Sequence, residues 1–292
     1  MKILLLGKNG QVGWELQRAL APLGELVALD RRDAGGDLLQ PEAVATRIAQ
    51  EQPQWVVNAA AYTAVDKAES DVPTARCVNA QAVAAIAKAC QQTGAKLVHY
   101  SRDYVFDGSG NQARSEDAPT VPLSVYGQTK LEGEQAIASS GCAHLVFRTS
   151  WVYAARGGNF AKTMLRLAQE KTQLTVVEDQ WGAPTGAELI ADVTAQCMAR
   201  FSPEQSGVYH LVAAGETNWQ AYARHVIETA RQQGKPITVS VGHVRGQLTA
   251  NYPTPAQRPL NSRLDTHKLR STFGLTLPHW QTGVDRMLQE IL

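Results

Sequence analysis

Neither sign of charge is in excess in this sequence. The chain has 28 lysine and arginine residues against 27 aspartate and glutamate residues. A protein that binds nucleic acid or an anionic membrane through its charge usually carries a basic excess. The balance therefore argues against both partners, and we expect the ligand to be a small molecule.

Long apolar segments and paired cysteines are also lacking. No apolar run approaches the roughly 18 residues of a membrane-spanning helix, and the opening segment MKILLLG reaches glycine before the apolar core of a signal peptide could form. The four cysteines have no metal-type spacing, and a chain of 292 residues can bury a core large enough to be stable without disulfide bonds. We therefore expect a cytoplasmic protein whose thiols are reduced.

The first residues do contain the pattern of a strand, a glycine turn and a helix. Residues 2–6 are an apolar run after the lysine at its start, and the segment GKNGQVG at 7–13 leads into a stretch with apolar residues at helical spacing. Gly7 and Gly10 allow a tight turn and a close approach of the backbone to a pyrophosphate, and Gly13 allows the helix to pack against the strand. The pattern predicts a dinucleotide site at the helix N-terminus. The alternative is a plain strand-to-helix turn in which the glycines serve packing only.

The end of the second predicted strand bears on the choice of cofactor. This strand, residues 25–29, is followed by Asp30, Arg31 and Arg32. An acidic residue about 20 positions after the glycine turn binds the adenosine ribose hydroxyls of NADH, whereas a nearby arginine accommodates the 2′-phosphate of NADPH. The three residues leave both cofactors open. For either arginine, a solvated turn without a ligand is the alternative.

Strands and helices alternate along the first half of the chain. Further strands are predicted at 55–58, 96–100 and 144–148, with helices at 41–52 and 74–92 between them. Such alternation is typical of an α/β fold of the Rossmann type, with a doubly wound parallel sheet. Folds of this type bind their ligands at the carboxyl ends of the strands.

The alternation loosens after Trp151. Residues 1–150 are therefore predicted to form an NAD(P)-binding Rossmann domain, and residues 151–292 mainly a smaller C-terminal substrate-binding lobe. Segments between about residues 174 and 212, with a strand at 208–212, are expected to return to the main sheet. A further strand is predicted at 237–241.

A tyrosine and a lysine stand four residues apart in the segment YGQTK at 126–130, which opens a predicted helix. This spacing puts the Tyr126 phenol and the Lys130 ammonium on one helix face. A cation held close to a phenol favours its ionised form and so lowers its pKa from about 10. The pair therefore suits proton exchange with a sugar or alcohol oxygen. A solvated surface pair would show the same spacing.

Together, the glycine turn, Asp30, the segment NAAA at 58–61 and the pair of Tyr126 and Lys130 resemble the extended short-chain dehydrogenase/reductase superfamily. Within it, the chain is similar to the dTDP-4-dehydrorhamnose reductases in the segments NAAAYTAVDKAE at 58–69, DYVFDG at 103–108, RTSWVY at 148–153, NFAKTM at 159–164, GAPT at 182–185 and RPLNS at 258–262. That family makes the last reduction in bacterial dTDP-L-rhamnose synthesis. The resemblance implies reduction of the C4 ketone of dTDP-4-dehydro-L-rhamnose, with hydride from NADPH or NADH and a proton from Tyr126.

The resemblance also implies roles for individual residues. Tyr126 and Lys130 act at the chemical centre, and Lys130 also bonds the nicotinamide ribose. Arg102, Asp103 and Trp151 meet the sugar. The cofactor is held by Gly10, Gln11, Val12, Asp30, Asp37, Leu38, Ala61, Tyr62 and Thr63.

One position departs from the family. Its members have Ser-Thr-Asp-Tyr after the fourth strand, and here Arg102 stands in place of that threonine. In the superfamily, the hydroxyl at this point donates a hydrogen bond to the reacting oxygen. Arg102 can donate too, and its charge would stabilise an alkoxide, but its longer side chain could occupy the place of the sugar. We therefore predict an enzyme that is slowed by Arg102.

Three carboxylates outside this pocket form a candidate metal site. Glu15 follows the glycine turn, and Glu188 and Asp192 lie four residues apart on the face of a later helix. The resemblance to magnesium-dependent members of the family suggests that they share Mg²⁺, which prefers oxygen ligands, at the contact of a homodimer. Ordinary solvated helix carboxylates are the alternative.

Two other functions fit the same scaffold. Nucleotide-sugar epimerases and dehydratases use the same fold and the same residue pair, but they keep their cofactor bound through the cycle. A similar scaffold also forms the non-catalytic regulatory subunit of a methionine adenosyltransferase. Arg102 favours that binding role, whereas the presence of both Tyr126 and Lys130 argues against it.

Overall fold

The computed structural model describes all residues from 1 to 292. Its strands are β1 (Lys2–Leu6), β2 (Glu25–Leu29), β3 (Trp55–Asn58), β4 (Lys96–Arg102), β5 (His144–Thr149), β6 (Val152–Tyr153), β7 (Leu174–Val177), β8 (Trp181–Gly182), β9 (Thr185–Gly186), β10 (Gly207–His210), β11 (Thr217–Asn218) and β12 (Val244–Gln247). Its helices are α1 (Gln11–Leu20), α2 (Pro41–Glu51), α3 (Val65–Ala68), α4 (Val72–Arg76), α5 (Ala82–Thr93), α6 (Val125–Ser140), α7 (Phe160–Glu170), α8 (Ala187–Arg200), α9 (Trp219–Gln232), α10 (His267–Phe273) and α11 (Trp280–Ile291). A π-helical turn, Cys77–Gln81, joins α4 to α5. None of the helices is long and apolar enough to span a membrane.

Six strands form one parallel sheet in the order β10, β5, β4, β3, β1, β2. Parallel strands covered by helices on both faces are continuous apolar runs, and all four residues of β3 are buried. The sheet is doubly wound, because the chain runs from β1 to β2 on one side and continues with β3 on the other. The prediction of a doubly wound Rossmann-type fold is therefore confirmed. The strand order reverses beside β1, which is where such folds bind their ligands.

Alternate residues of each strand pack against two helical layers. Ile3 and Leu5 face one layer, in which α1 lies against α8. Leu4 and Leu6 face the other layer, in which α5 packs between α2 and α6. Full burial of one such side chain contributes about 1.5–3 kcal/mol. The first strand is therefore anchored on both faces, and this fixes the position of the glycine turn that follows it.

Parts of the second half of the chain return to these layers. Helix α8 packs beside α1, and β10 pairs with β5, so the strand predicted at 208–212 does join the main sheet. Strand β7 does not return, because it pairs with β12 in a separate two-stranded sheet. Only part of the segment at 174–212 therefore belongs to the Rossmann layers.

The second lobe is built around α7, α9, α11 and the small sheet of β7 and β12. The prediction of a strand at 237–241 is wrong, because no strand forms there. The backbone N–H groups of Thr238 and Val239 bond to the carbonyl of Ala168 near the end of α7. The apolar pattern instead reflects burial of Val239 in the core of the lobe.

Candidate functional site

One cleft of about 1200 Å³ opens beyond the carboxyl ends of β1 to β4. Its walls include all the residues predicted to hold the cofactor, both residues predicted at the chemical centre, and Arg102: Gly7, Gly10, Gln11, Val12, Asp30, Arg31, Asp37, Leu38, Ala61, Tyr62, Thr63, Arg102, Tyr126 and Lys130. Asp103 and Trp151 are not on these walls. Arg156 and Gly157 line the cleft without having been predicted, because their loop has no periodic pattern that would single it out.

The glycine turn forms one wall of the cleft. Gly7 has a φ of 87°, and a Cβ there would lie 2.7 Å from the backbone nitrogen of Ala60. A Cβ on Gly13 would lie 2.0 Å from the Gly7 carbonyl oxygen, so only glycine lets α1 begin this close to β1. At Gly10, in contrast, a Cβ would meet no protein atom closer than 3.5 Å. Packing therefore explains Gly7 and Gly13. Gly10 is not required by packing and borders the cleft.

Asp30 and the two arginines after it stand at the far end of this wall. The Asp30 carboxylate accepts the backbone N–H of Arg32 at 2.7 Å, and this hydrogen bond lowers the pKa of Asp30. The Arg32 side chain lies 3.5 Å from the same carboxylate and is largely exposed. Arg31 lines the cleft beside them. The carboxylate is therefore ionised and is held by Arg32 rather than by Arg31.

A buried asparagine ties the loop after β3 to the helix of Tyr126. Asn79 Oδ1 accepts the backbone N–H of Tyr62 at 3.0 Å, and Nδ2 donates to the Tyr62 carbonyl at 3.1 Å and to the Thr129 hydroxyl at 3.3 Å. Asn79 lies in the π-helical turn, a feature that often occurs at functional sites. It was not predicted, although an asparagine inside an alanine-rich helix was an available signal.

Tyr126 and Lys130 lie on the buried face of α6. The helix begins after Ser124, whose hydroxyl accepts the backbone N–H of Gly127 at 3.2 Å. A Cβ on Gly127 would lie 2.2 Å from the Tyr104 carbonyl oxygen, so glycine lets the first turn pack directly on the segment after β4. Only 3% of Tyr126 and 1% of Lys130 are exposed. A solvated surface pair is therefore excluded.

The electrostatics of the pair differ from the prediction. Burial raises the pKa of Tyr126, and the cation that opposes this rise is Arg102. Lys130 Nζ bonds to strand β4, donating to the Tyr100 carbonyl at 2.6 Å and lying 3.2 Å from His99 Nε2. Burial also lowers the pKa of Lys130 to about 7. The prediction of a lowered pKa for Tyr126 is therefore wrong, because burial outweighs the charge of the nearby cation.

Arg102 stands on the cleft wall, with Asp103 directly behind it. The Arg102 Nε atom lies 3.8 Å from Oδ1 of Asp103. That nitrogen has no hydrogen-bond partner, whereas the fully buried Asp103 carboxylate has the Ser262 hydroxyl as a neighbouring donor. Burial raises the pKa of Asp103, and the charge of Arg102 opposes this rise. Since buried polar atoms are normally bonded, the unpaired Arg102 nitrogen beside the cleft indicates a place for a polar ligand.

Comparisons with known proteins agree with the resemblance seen in the sequence. A family model described as the RmlD substrate binding domain matches residues 1–292. The dTDP-4-dehydrorhamnose reductase of Shigella flexneri is 55% identical over 295 residues, which cover 100% of this chain and 98% of the relative. The chain belongs to the RmlD family of dTDP-4-dehydrorhamnose reductases. A spore coat polysaccharide biosynthesis protein of Bacillus subtilis, SpsK, is 33% identical over 99% of this chain and 97% of its own length.

Solved structures of family members have the same fold. The dTDP-4-dehydrorhamnose reductase of Clostridium acetobutylicum superposes with a TM-score of 0.91 at 33% identity, covering 100% of this chain and 99% of that one. The reductase of Bacillus anthracis, solved in complex with NADP, superposes with a TM-score of 0.90 at 31% identity and covers 99% of both chains. These similarities confirm the family resemblance over the whole chain.

Trp151, at the position that the RmlD family resemblance assigns to the sugar, is packed inside the protein. Its backbone has a φ of 46°, and its ring stacks on Trp219 with centroids 3.7 Å apart and an interplanar angle of 16°. A Cβ on Gly182 would lie 3.0 Å from the same indole, so glycine makes room for it. Only 7% of Trp151 is exposed. The observed contacts are those of a core residue, and its contact with the sugar stays a prediction.

The side chains of one chain do not by themselves form the predicted metal site. No group of three or more His, Cys, Asp or Glu side chains is placed to hold a metal ion. Arg18 lies between two of the predicted ligands, 3.5 Å from Glu15 and 2.9 Å from Asp192. The third, Glu188, lies 3.6 Å from Arg286. Arginine side chains therefore balance these carboxylates within one chain, and the magnesium ion shared at a homodimer contact stays a prediction.

Proposed function

We propose that the chain reduces the C4 ketone of dTDP-4-dehydro-L-rhamnose to dTDP-L-rhamnose, with NADPH or NADH as the cofactor. The observation that carries this proposal is the single cleft lined by both the glycine turn and the pair of Tyr126 and Lys130. The name of the Shigella flexneri relative supports the substrate. The NADP complex of the Bacillus anthracis relative supports the cofactor.

The chemistry of the cleft fits a dinucleotide. Helix α1 begins just after Gly10 with no acidic residue in its first turn, so its N–H groups and the positive end of its dipole can meet a phosphate. The open side of Gly10 leaves room for that approach. Asp30 and Arg31 would meet the adenosine ribose, and Lys130 the nicotinamide ribose. When bound, NADPH or NADH supplies the hydride.

Tyr126 is the proton donor in this proposal. Because burial raises the pKa of Tyr126, its phenol keeps its proton at neutral pH and can give it to the carbonyl oxygen. The resulting phenolate would be stabilised by the Arg102 guanidinium and by the ammonium form of Lys130. As the family resemblance implies, Asp103 would accept sugar hydroxyls, and Trp151 would form part of the wall of the sugar site.

A turnover assay tests the proposed function against its rivals. With dTDP-4-dehydro-L-rhamnose, the purified protein should oxidise NADPH or NADH in equimolar amount to the sugar reduced, and the product should be dTDP-L-rhamnose. An epimerase or a dehydratase would convert a nucleotide sugar without net oxidation of added cofactor. Co-purification with a methionine adenosyltransferase, together with no cofactor oxidation, would replace the proposal by the regulatory function.

The departure at position 102 gives a prediction about rate. Arg102→Thr restores the family hydroxyl, and one transition-state donor of this kind is typically worth about 10² to 10³ in rate. Loss of the guanidinium also removes a charge that favours the Tyr126 phenolate, and this cost offsets part of the gain. We therefore expect a net gain in kcat of at least about tenfold. Steady-state kinetics with NADPH and the keto sugar measure this gain.

Arg102→Val is the matched control for that experiment. Valine has the shape of threonine without the hydroxyl, so it frees the same space but supplies no donor. We expect Arg102→Val to gain much less than Arg102→Thr. A threonine variant no faster than the parent, or a valine variant equally fast, would show that the hydroxyl is not what this position lacks.

A second prediction concerns cofactor choice. Arg31→Ala should lower kcat/KM for NADPH by about tenfold or more, because a hydrogen bond to a charged phosphate contributes about 1.5–3 kcal/mol. The value for NADH should change little, since NADH has no 2′-phosphate. Arg32→Ala is the control, because Arg32 already lies against Asp30, and its effect should be smaller. Equal losses with both cofactors would contradict a phosphate contact at Arg31.

A further inference from the structure

A buried chain of polar side chains lies behind Lys130. Lys130 Nζ is 3.2 Å from His99 Nε2, and His99 Nδ1 is 3.2 Å from Asn58 Nδ2. The three residues come from α6, β4 and β3, and each is 1% exposed. The proposed reaction uses Lys130 but assigns no role to the other two. Buried polar networks of this kind are costly unless every hydrogen bond has the right donor and acceptor.

The direction of these hydrogen bonds follows from the backbone. Asn58 Oδ1 accepts the backbone N–H of Ala60 at 3.2 Å, which turns the amide nitrogen of Asn58 toward His99. An amide nitrogen only donates, so His99 Nδ1 must be the acceptor. Burial holds the pKa of His99 well below its usual range, so the ring is neutral and carries its single proton on Nε2.

The same reasoning extends to Lys130. With its proton on Nε2, His99 donates toward Lys130 Nζ. An ammonium has three donors and no acceptor, whereas a neutral amine has a lone pair for this hydrogen bond. The amine can still donate to the Tyr100 carbonyl, which lies 2.6 Å away. The network is therefore satisfied when Lys130 is neutral and meets a clash of two donors when Lys130 is charged.

We propose that Asn58 and His99 are positioning residues that favour the neutral amine of Lys130 and thereby set the upper pH limit of the reaction. This inference rests on the proposed function only for its kinetic consequence. The charged groups around Lys130 do not reverse the effect. Arg102, at the end of β4, also disfavours the ammonium, and Glu134 on α6 favours it but already accepts three hydrogen bonds from Arg148.

The sign of the pH dependence follows. The ammonium of Lys130 would stabilise the Tyr126 phenolate, and it is lost as the pH rises through the Lys130 pKa of about 7. We therefore expect kcat to fall above that pH. In Asn58→Asp, the carboxylate accepts both the Ala60 N–H and a proton on His99 Nδ1, so Nε2 becomes an acceptor for the ammonium. The descending limb of the kcat–pH profile should then move up by about one pH unit, because the net contribution of one hydrogen bond corresponds to roughly one unit of pKa.

A second variant separates this mechanism from simple attraction by the new carboxylate. Asn58→Asp combined with His99→Leu keeps the carboxylate but removes the imidazole that transmits the change. Relative to His99→Leu alone, the double variant should show no upward shift of the descending limb of kcat. If the shift persists without the imidazole, the carboxylate acts by its charge, and the proposed role of His99 is overturned.

Nitrogen-15 NMR of the protein without added nucleotide tests the network without any activity measurement. The ring-nitrogen shifts of His99 should show a neutral ring with its proton on Nε2 in the parent chain, and on Nδ1 in Asn58→Asp. A parent chain with the proton on Nδ1 would overturn the inference even if the variant fails to fold. If the parent has the expected tautomer but reduces no keto sugar, the network stands and the proposed function fails.

Discussion

Replacing Tyr126 by phenylalanine should lower kcat by about 10² to 10⁴, the usual contribution of a positioned proton donor. The variant loses only the hydroxyl, and the ring is 3% exposed and packed edge-to-face on Tyr104, so the fold and the cofactor site should remain. Rates measured with saturating keto sugar and NADPH give kcat, and the fluorescence of bound NADPH reports the cofactor affinity separately.

Tyr104→Phe is the matched control for this prediction. Tyr104 packs against Tyr126 but does not line the cleft. Its variant makes the same chemical change at the neighbouring ring, and we expect kcat to stay within about tenfold of the parent. A Tyr126→Phe variant that is as active as Tyr104→Phe would mean that the carbonyl oxygen receives its proton from another group.

Replacing Glu134 by alanine should lower the free energy of unfolding by about 3–5 kcal/mol, because it leaves a buried cation without its partner. Glu134 Oε2 accepts hydrogen bonds from Arg148 at 2.7 and 3.1 Å, and Oε1 accepts one at 3.1 Å. The two side chains are only 4% and 6% exposed. The pair joins α6, which carries Tyr126, to β5. Urea denaturation followed by circular dichroism measures the loss.

The same helix offers a control on the solvent side. Glu132 also pairs with an arginine, Arg76, but that arginine side chain is 45% exposed. Exposed ion pairs contribute roughly 0–1 kcal/mol, so Glu132→Ala should cost far less than Glu134→Ala. Equal losses from the two variants would mean that burial of the ion pair at Arg148 does not decide its contribution.

The features that were predictable from the sequence are those with a local pattern. The apolar run at 2–6, the glycines after it and the alternation of strands and helices predicted the doubly wound sheet, because such folds repeat one local unit. The spacing of Tyr126 and Lys130 put both on one helix face, and the structure places both on the cleft wall.

The features that were not predictable depend on contacts between distant segments. Residues 237–241 have a strand-like composition, but the strand of that region, β12, begins only at Val244, opposite β7. The pKa of Tyr126 depends on burial under neighbouring elements and on Arg102, neither of which is visible in the spacing of a tyrosine and a lysine. His99 lies beside Lys130, and Asn58 beside His99, only because β3, β4 and α6 pack together.

The surroundings of the three carboxylates predicted to share a metal ion also depend on contacts between distant segments. Glu188 and Asp192 do lie on one helix, α8, and Glu15 lies on the adjacent α1. Their charges are nevertheless balanced by Arg18 and Arg286, which approach from α1 and α11. A pattern of carboxylates in a sequence cannot reveal which cations the fold will bring to them.

A crystal structure of the protein with bound NADPH tests the central claim most directly. We expect the pyrophosphate at the glycine turn near Gly10, the nicotinamide ribose bonded to Lys130, and the Tyr126 hydroxyl facing the space beside the reactive carbon of the nicotinamide. A dinucleotide bound outside this cleft, or a Tyr126 hydroxyl turned away from that carbon, would contradict the proposed reduction.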